Sequence, residues 1–278
     1  MIRVQFRDQG PRVVLIQIAL STRPPQSRLR IDGDFGIRTQ TAVKLLQASL
    51  RRPQTGIVEG PEWKAMMSSM PFQTFDHTDV DDAITALQAG NFDQNLREGH
   101  QYGIVALAEL QRTEAPAASI GVGASNGVGQ MVARAIQAGQ STKLGLLRIF
   151  GHGGRGIQVI SAGRGAIPGG SGEHQSALTP TVVRHMRAEM RRMAIAFQPY
   201  GSAELHGCRV ADGDPGRLLL KDLAEAWGVP VTAGIQKQHV GSGQTFRFEG
   251  RTLTAYPGRV SLLQWAQRVA SQSAFSRA

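Results

Sequence analysis

Cysteine is nearly missing from this chain of 278 residues, which carries one, Cys208. A lone thiol excludes an internal disulfide framework and any zinc site made mainly of thiolates, so Cys208 is either packing or a nucleophile. Aromatic residues are also sparse, at 6%. With no aromatic-rich strand and no zinc-finger spacing, nucleic acid is not an expected partner. Long apolar runs are absent too. The most apolar early stretch, 13–20, is interrupted by Gln17, is far shorter than the ~20 residues of a membrane span, and has no small-residue cleavage site. Neither a membrane span nor a secretory signal is therefore expected. His77 beside Asp76 and Asp79 reads as a solvated, helix-capping acidic turn, and His206 with His152 lacks a third ligand of suitable spacing. No metal and no cofactor are expected.

What is present is enough chain for about two domains, and a 41% hydrophobic composition that suits a folded protein. Charge divides the chain into three. Residues 1–71 hold eleven basic against five acidic side chains, 72–115 two against eight, and 116–278 eighteen against eight. Two basic domains thus flank an acidic connector. A basic protein is drawn to polyanions, and the carboxylates and anionic polymers of a cell wall qualify as readily as nucleic acid.

Compared with itself at an offset of 30, the chain repeats Val13, Ile16, Gln17 and Leu20 as Val43, Leu46, Gln47 and Leu50. Each copy has the i, i+3, i+4, i+7 spacing of an amphipathic helix. Between them lies the turn-forming run Ile31-Asp32-Gly33-Asp34-Phe35-Gly36, and a third short helix opens at Pro61 with Trp63 and Met66. Asp32, Gly33, Phe35, Gly36, Thr39, Ala42, Val43, Gln47, Gly56, Val58 and Trp63 resemble the pattern of the three-helix peptidoglycan-binding modules found beside many wall hydrolases. One departure is Glu62, where that family often has threonine. The resemblance implies a small helical bundle over 1–71, peptidoglycan as partner, and a place in a bacterial cell envelope. Asp32, Phe35, Gln47 and Trp63 are the candidate peptidoglycan-binding residues; the alternative is that they only hold the module together. The connector, 72–115, shows helical patterns at 80–88 and 102–111 and reads as a helical spacer.

In 116–278, apolar strands alternate with helices: strands at 118–122, 144–150, 203–206 and 229–233, helices at 129–137, 180–197, 216–227 and 262–269, and a hairpin through 246–256. This order predicts a mostly parallel sheet, so the fold class is α + α/β. Ligand chemistry in such sheets collects at the carboxyl ends of strands, where Gly151-His152-Gly153-Gly154 and Gly207-Cys208 fall. Cys208 and His152 are the candidate nucleophile and proton carrier, with the amides of Gly153 and Cys208 as oxyanion donors. His206, on the strand face of Cys208, is placed to assist the thiolate, and Asp212 to cap a turn or to receive a basic substrate side chain.

Gly151, His152, Gly153 and Gly156, then Gly207, Cys208, Asp212, Gly213 and Gly216, then Val229, Val231 and Ala233, resemble the caspase-like cysteine peptidase domain of bacterial surface proteins. That resemblance implies a His152–Cys208 dyad cleaving amide bonds of a peptide or protein substrate. Envelope proteins and peptidoglycan stem peptides both fit, in an exported antibacterial effector or a lysin that would meet a secretion machine or an inhibitor protein. The other reading is a wall-binding protein whose caspase-like domain is a degenerate scaffold. The Gly-rich stretch 161–172 reads as a processing or specificity loop.

Overall fold

Each copy of the 30-residue repeat is a helix, α1 (Pro11–Ser21) and α2 (Ile37–Ser49), and the shared glutamines explain the spacing. Gln17 is buried and closes the loop after α1: its Oε1 accepts from the amides of Asp32 and Gly33 at 3.0 and 2.9 Å, and its Nε2 donates to Asp32 Oδ1 at 2.9 Å and to the Asp34 carbonyl at 3.0 Å. Gln47 does the same after α2, accepting from the Gly56 amide at 2.9 Å and donating to Thr55 Oγ1 at 2.9 Å and the Ile57 carbonyl at 3.0 Å. A buried primary amide both donates and accepts, so one side chain satisfies a whole turn. Gly33 and Gly56, at φ 74° and 71°, supply the left-handed residue each turn requires.

Helix α3 (Gly60–Met67) completes the module. Its buried Glu62 takes the Glu59 amide at 3.1 Å and Arg52 Nε at 2.9 Å. Burial pushes this carboxyl up, and the hydrogen bonds overcome it to hold the group below its usual range. Phe35, Gln47 and Trp63 are each no more than 2% exposed. They therefore present no surface to a ligand, which corrects their reading as peptidoglycan contacts; only Asp32 keeps an exposed edge.

The computed structural model describes residues 3–23, 29–68, 70, 73–78, 118–121, 127–141, 143–160, 177–238 and 248–272. In chain order its strands are β1 (Gln73–Thr78), β2 (Ala118–Gly121), β3 (Leu144–Ile149), β4 (Gly153–Gly154), β5 (Ile157–Val159), β6 (Ala177–Leu178), β7 (Phe197–Leu205), β8 (Val231–Gly234) and β9 (Thr252–Ala255). Six of them form one sheet in the order β2-β1-β3-β7-β8-β9, parallel throughout except for the β8–β9 pair. Strands β4, β5 and β6 make a small antiparallel sheet.

Strand β1 lies inside the segment read as a helical connector, so the sheet begins before residue 116. The helical patterns at 80–88 and 102–111 and the loop 161–172 fall outside the described residues, as do 246 and 247 of the expected hairpin at 246–256, whose β9 pairs with β8. The helix expected over 180–197 is instead α5 (Pro180–His185), α6 (Arg187–Arg192) and a 3₁₀ turn, Met193–Ala196, because Met186 at φ −93°, ψ 30° leaves the helical region between them.

The sheet is covered on both faces, as a parallel sheet requires. Leu147 and Ile149 of β3 and Ala203 and Leu205 of β7 pack into a core with α4 (Gly127–Ser141), α5, α6 and α7 (Gly213–Trp227). Strand alternation turns Leu146 and Tyr200 the other way, into a core shared with α1, α2, α3 and with Trp265, Ala266 and Val269 of α8 (Leu262–Gln272). The module is thus a layer of the fold and not a bead on a spacer. The two repeat copies differ accordingly: Val14 and Ala19 of α1 are buried, while their counterparts Lys44 and Ser49 of α2 are not. A helix wedged between two layers is apolar on all sides, whereas one facing water is apolar on one. Arg12 on α1 forms a two-pronged ion pair with Glu204 of β7 across this junction.

Candidate functional site

Strands β3 and β7 are hydrogen-bonded neighbours with Ile149 opposite Leu205. His152 and Cys208 each follow their strand by three residues, so the parallel register delivers them to the same height. The His206 amide donates to the Ile149 carbonyl at 2.8 Å and extends the ladder toward them. Beyond it the two chains touch through glycine. A Cβ on Gly153 would lie 2.6 Å from the Cys208 nitrogen, and one on Gly207 would lie 2.8 Å from the His152 oxygen. No side chain fits at either position. His152 is exposed at the rim, and Cys208 is half-buried.

The amides at this junction follow from the pairing of β4 with β5. The Val159 amide donates to the His152 carbonyl at 2.9 Å, which makes His152 and Val159 a hydrogen-bonded pair. Gly153 and Gln158, one step along, are then a non-hydrogen-bonded pair. The Gly153 N–H consequently points away from β5. Among the described residues no acceptor engages the Cys208 amide either. Two amides on touching loops, neither used by its own secondary structure, are what an oxyanion site requires.

Gln158, which composition and spacing did not single out, ties the two loops together. It is fully buried; its Oε1 accepts from the Gly207 amide at 2.8 Å and its Nε2 donates to the Val159 carbonyl at 3.0 Å. Replacing it with alanine leaves a buried N–H without an acceptor, and we expect a loss of about 1–3 kcal/mol in urea denaturation. Gln158→Glu keeps the acceptor at Oε1 and should recover part of that loss. The other missed residue is Gln238. Its amide donates to Cys208 Sγ and its carbonyl accepts from the thiol, both at 3.3 Å, while its side chain brackets the Glu249 backbone.

Asp212 accepts from Arg209 Nη2 at 2.6 Å and from Arg155 Nε at 2.9 Å. Those hydrogen bonds hold its carboxyl below the usual range. Arg155 sits on the turn between β4 and β5, and Arg209 follows Cys208, so Asp212 clips the two loops through Oδ2, where both arginines meet its charge. The same geometry corrects the reading of His206. Its buried ring is stacked between Phe150 and Phe248, with centroids at 4.7 and 4.2 Å, and its Nε2 lies 3.0 Å from Glu204 Oε2. Burial pushes its pKa down to about 4 against the pull of Glu204, so it is neutral at neutral pH. Its partners belong to the junction with the module, where Arg12 also lies over the Phe248 ring.

Residues 9–66, which span α1 to α3, match the sequence model of the peptidoglycan binding domain family. That domain supports association with a cell wall and peptidoglycan as a partner. Neither the curated proteins nor the solved structures compared with the chain give a match. Among the described residues no helix is long and apolar enough to cross a membrane.

Proposed function

We propose that this chain, which carries a peptidoglycan-binding domain over residues 9–66, is a wall-associated cysteine hydrolase of the caspase-like type with His152 and Cys208 as its dyad. The observation that carries this reading is the backbone contact of the His152–Gly153 and Gly207–Cys208 loops at the carboxyl ends of two adjacent parallel strands. The order of elements, a strand before Gly-His-Gly, a strand before Gly-Cys, then α7 and β8, supports the resemblance.

The chemistry follows from the placement. The Cys208 thiolate adds to the carbonyl carbon of an amide, and the oxyanion that forms is held by the Gly153 and Cys208 amides. His152 protonates the leaving nitrogen as the C–N bond breaks, giving a thioester on Cys208 and a free amine. Water then adds to the thioester, loses its proton to His152, and releases the acid with the thiolate restored. Envelope proteins and peptidoglycan stem peptides are the two substrate classes, in the setting of an exported effector or lysin acting in the envelope. One observation favours the second reading, a non-enzymatic wall-binding protein: the Cys208 sulfur is already engaged by the Gln238 backbone.

Incubating sacculi, and separately an envelope protein mixture, with the wild type and with Cys208→Ala separates the two. New amide-bond fragments made by the wild type alone, read by mass spectrometry, are the expected result. Identical products from both proteins, with both still sedimenting with sacculi, would remove the enzyme and leave the binding protein.

A further inference from the structure

On the sheet face opposite the wall-binding module, a groove of about 430 Å³ runs between α5–α6 and α7. Arg184, Arg187 and Arg191 line one side, three and four residues apart, and Lys221 and Arg259 the other. Asp222 and Glu225 are its acids. Glu225 is engaged by the Gly258 amide at 3.1 Å, and Asp222 Oδ2 lies 3.7 Å from Arg184 Nε. Among the described residues Arg187, Arg191, Lys221 and Arg259 have no acidic partner, so the groove holds a surplus of positive charge with nothing to balance it.

Two further features belong to the groove. Arg259, which lines the groove, sits at φ 55°, a left-handed conformation uncommon for a side chain of its size. In addition, Asp222 lines the groove beside Arg184 with its side chain 20% exposed. The accessible edge of that carboxylate can accept a hydrogen bond from a ligand hydroxyl. A ligand that matches the groove therefore carries repeating anions for the arginines and hydroxyls for Asp222. The apolar lining is Val183 and Ala226 alone, with no aromatic ring on which bases would stack.

We propose that this groove binds a polyol phosphate polymer, a chain of phosphodiesters and hydroxyls of the kind that would lie against peptidoglycan. Arginine forks take the phosphates in pairs of hydrogen bonds, and Asp222 accepts from an intervening hydroxyl. With the module on one face of the sheet and the groove on the other, the protein engages two components of one matrix, which raises its retention there beyond either contact.

The test uses the full chain and a fluorescently labelled synthetic poly(glycerol phosphate), titrated across a range of salt. The wild type should bind it more tightly than inorganic polyphosphate of equal charge, and Asp222→Ala should abolish that preference. The combined variant Arg187→Glu, Arg191→Glu, Arg259→Glu should weaken binding at least tenfold and flatten the slope of log affinity against log salt by about two to three. Its sedimentation with sacculi stripped of phosphate polymers should not change. If the charge-reversed chain is unfolded by circular dichroism, the corresponding glutamine variants carry the comparison. Equal binding by the variants, no binding by the wild type, equal preference for polyphosphate, or tighter binding of single-stranded DNA of equal charge would each overturn the proposal, the last in favour of a nucleic-acid groove.

Discussion

Arg12→Ala should destabilise the protein by about 3–5 kcal/mol, measured by urea denaturation at pH 7, although Arg12 is far from Cys208 in sequence. The reason is the Glu204 carboxylate, whose side chain is 4% exposed and whose charge is met by the two-pronged Arg12 contact. Removing the cation strips this buried anion of its two-pronged partner, and the His206 beside it is neutral. The cost measures that orphaned charge, not the worth of the pair, so Arg12→Met combined with Glu204→Leu should recover most of it. Recovery in the double variant would also show that the module docks on β7 by apolar packing, with the ion pair setting register.

The same cluster sets the pH dependence. Burial pushes the Glu204 carboxyl up, but the charge and hydrogen bonds of Arg12 and His206 prevail and hold it well below the usual carboxylate range. Its contribution is present above the unfolded value of ~4.3 and is lost as pH falls below it. His206, pushed down to about 4, also opposes acid: unfolded histidine takes up its proton near ~6.5, so folded stability falls between that pH and about 4, by roughly 3 kcal/mol. Stability should therefore drop from just below neutral in two continuous stages. In Arg12→Ala the lower stage should disappear, because a buried Glu204 without its cation takes up its proton in the folded state over that same acid range.

Gly153→Ala should both loosen the fold and disable the proposed chemistry. The added Cβ would lie 2.6 Å from the Cys208 nitrogen, 2.7 Å from the Gly207 carbonyl carbon and 2.8 Å from the Cys208 oxygen, all backbone atoms that cannot turn aside. The two loops must separate, at a cost of about 1–3 kcal/mol, and a displaced oxyanion donor should lower amide hydrolysis by about 10²–10³. Gly154→Ala is the control, since its Cβ would meet only Ile157 side-chain atoms at 3.8 and 3.9 Å. Hydrolysis undiminished in folded Gly153→Ala would remove these amides from the mechanism while leaving the dyad.

Residues close in sequence determined the elements. The 30-residue repeat announced α1 and α2, the apolar run before His152 announced β3, and the helical pattern at 216–227 announced α7. Flanking glycines marked His152 and Cys208, because a close backbone approach leaves its trace in residue type. The tertiary structure alone decided that β1 joins the sheet, that Phe35 and Trp63 face inward, and that Asp212 and His206 are held by Arg155, Arg209 and Glu204. It also paired Arg12 with Glu204, 192 positions apart. Helix and strand periods record which face of an element is buried, but not against what. That choice is made when whole faces dock, and it selects partners by shape and charge across a distance that no local pattern spans.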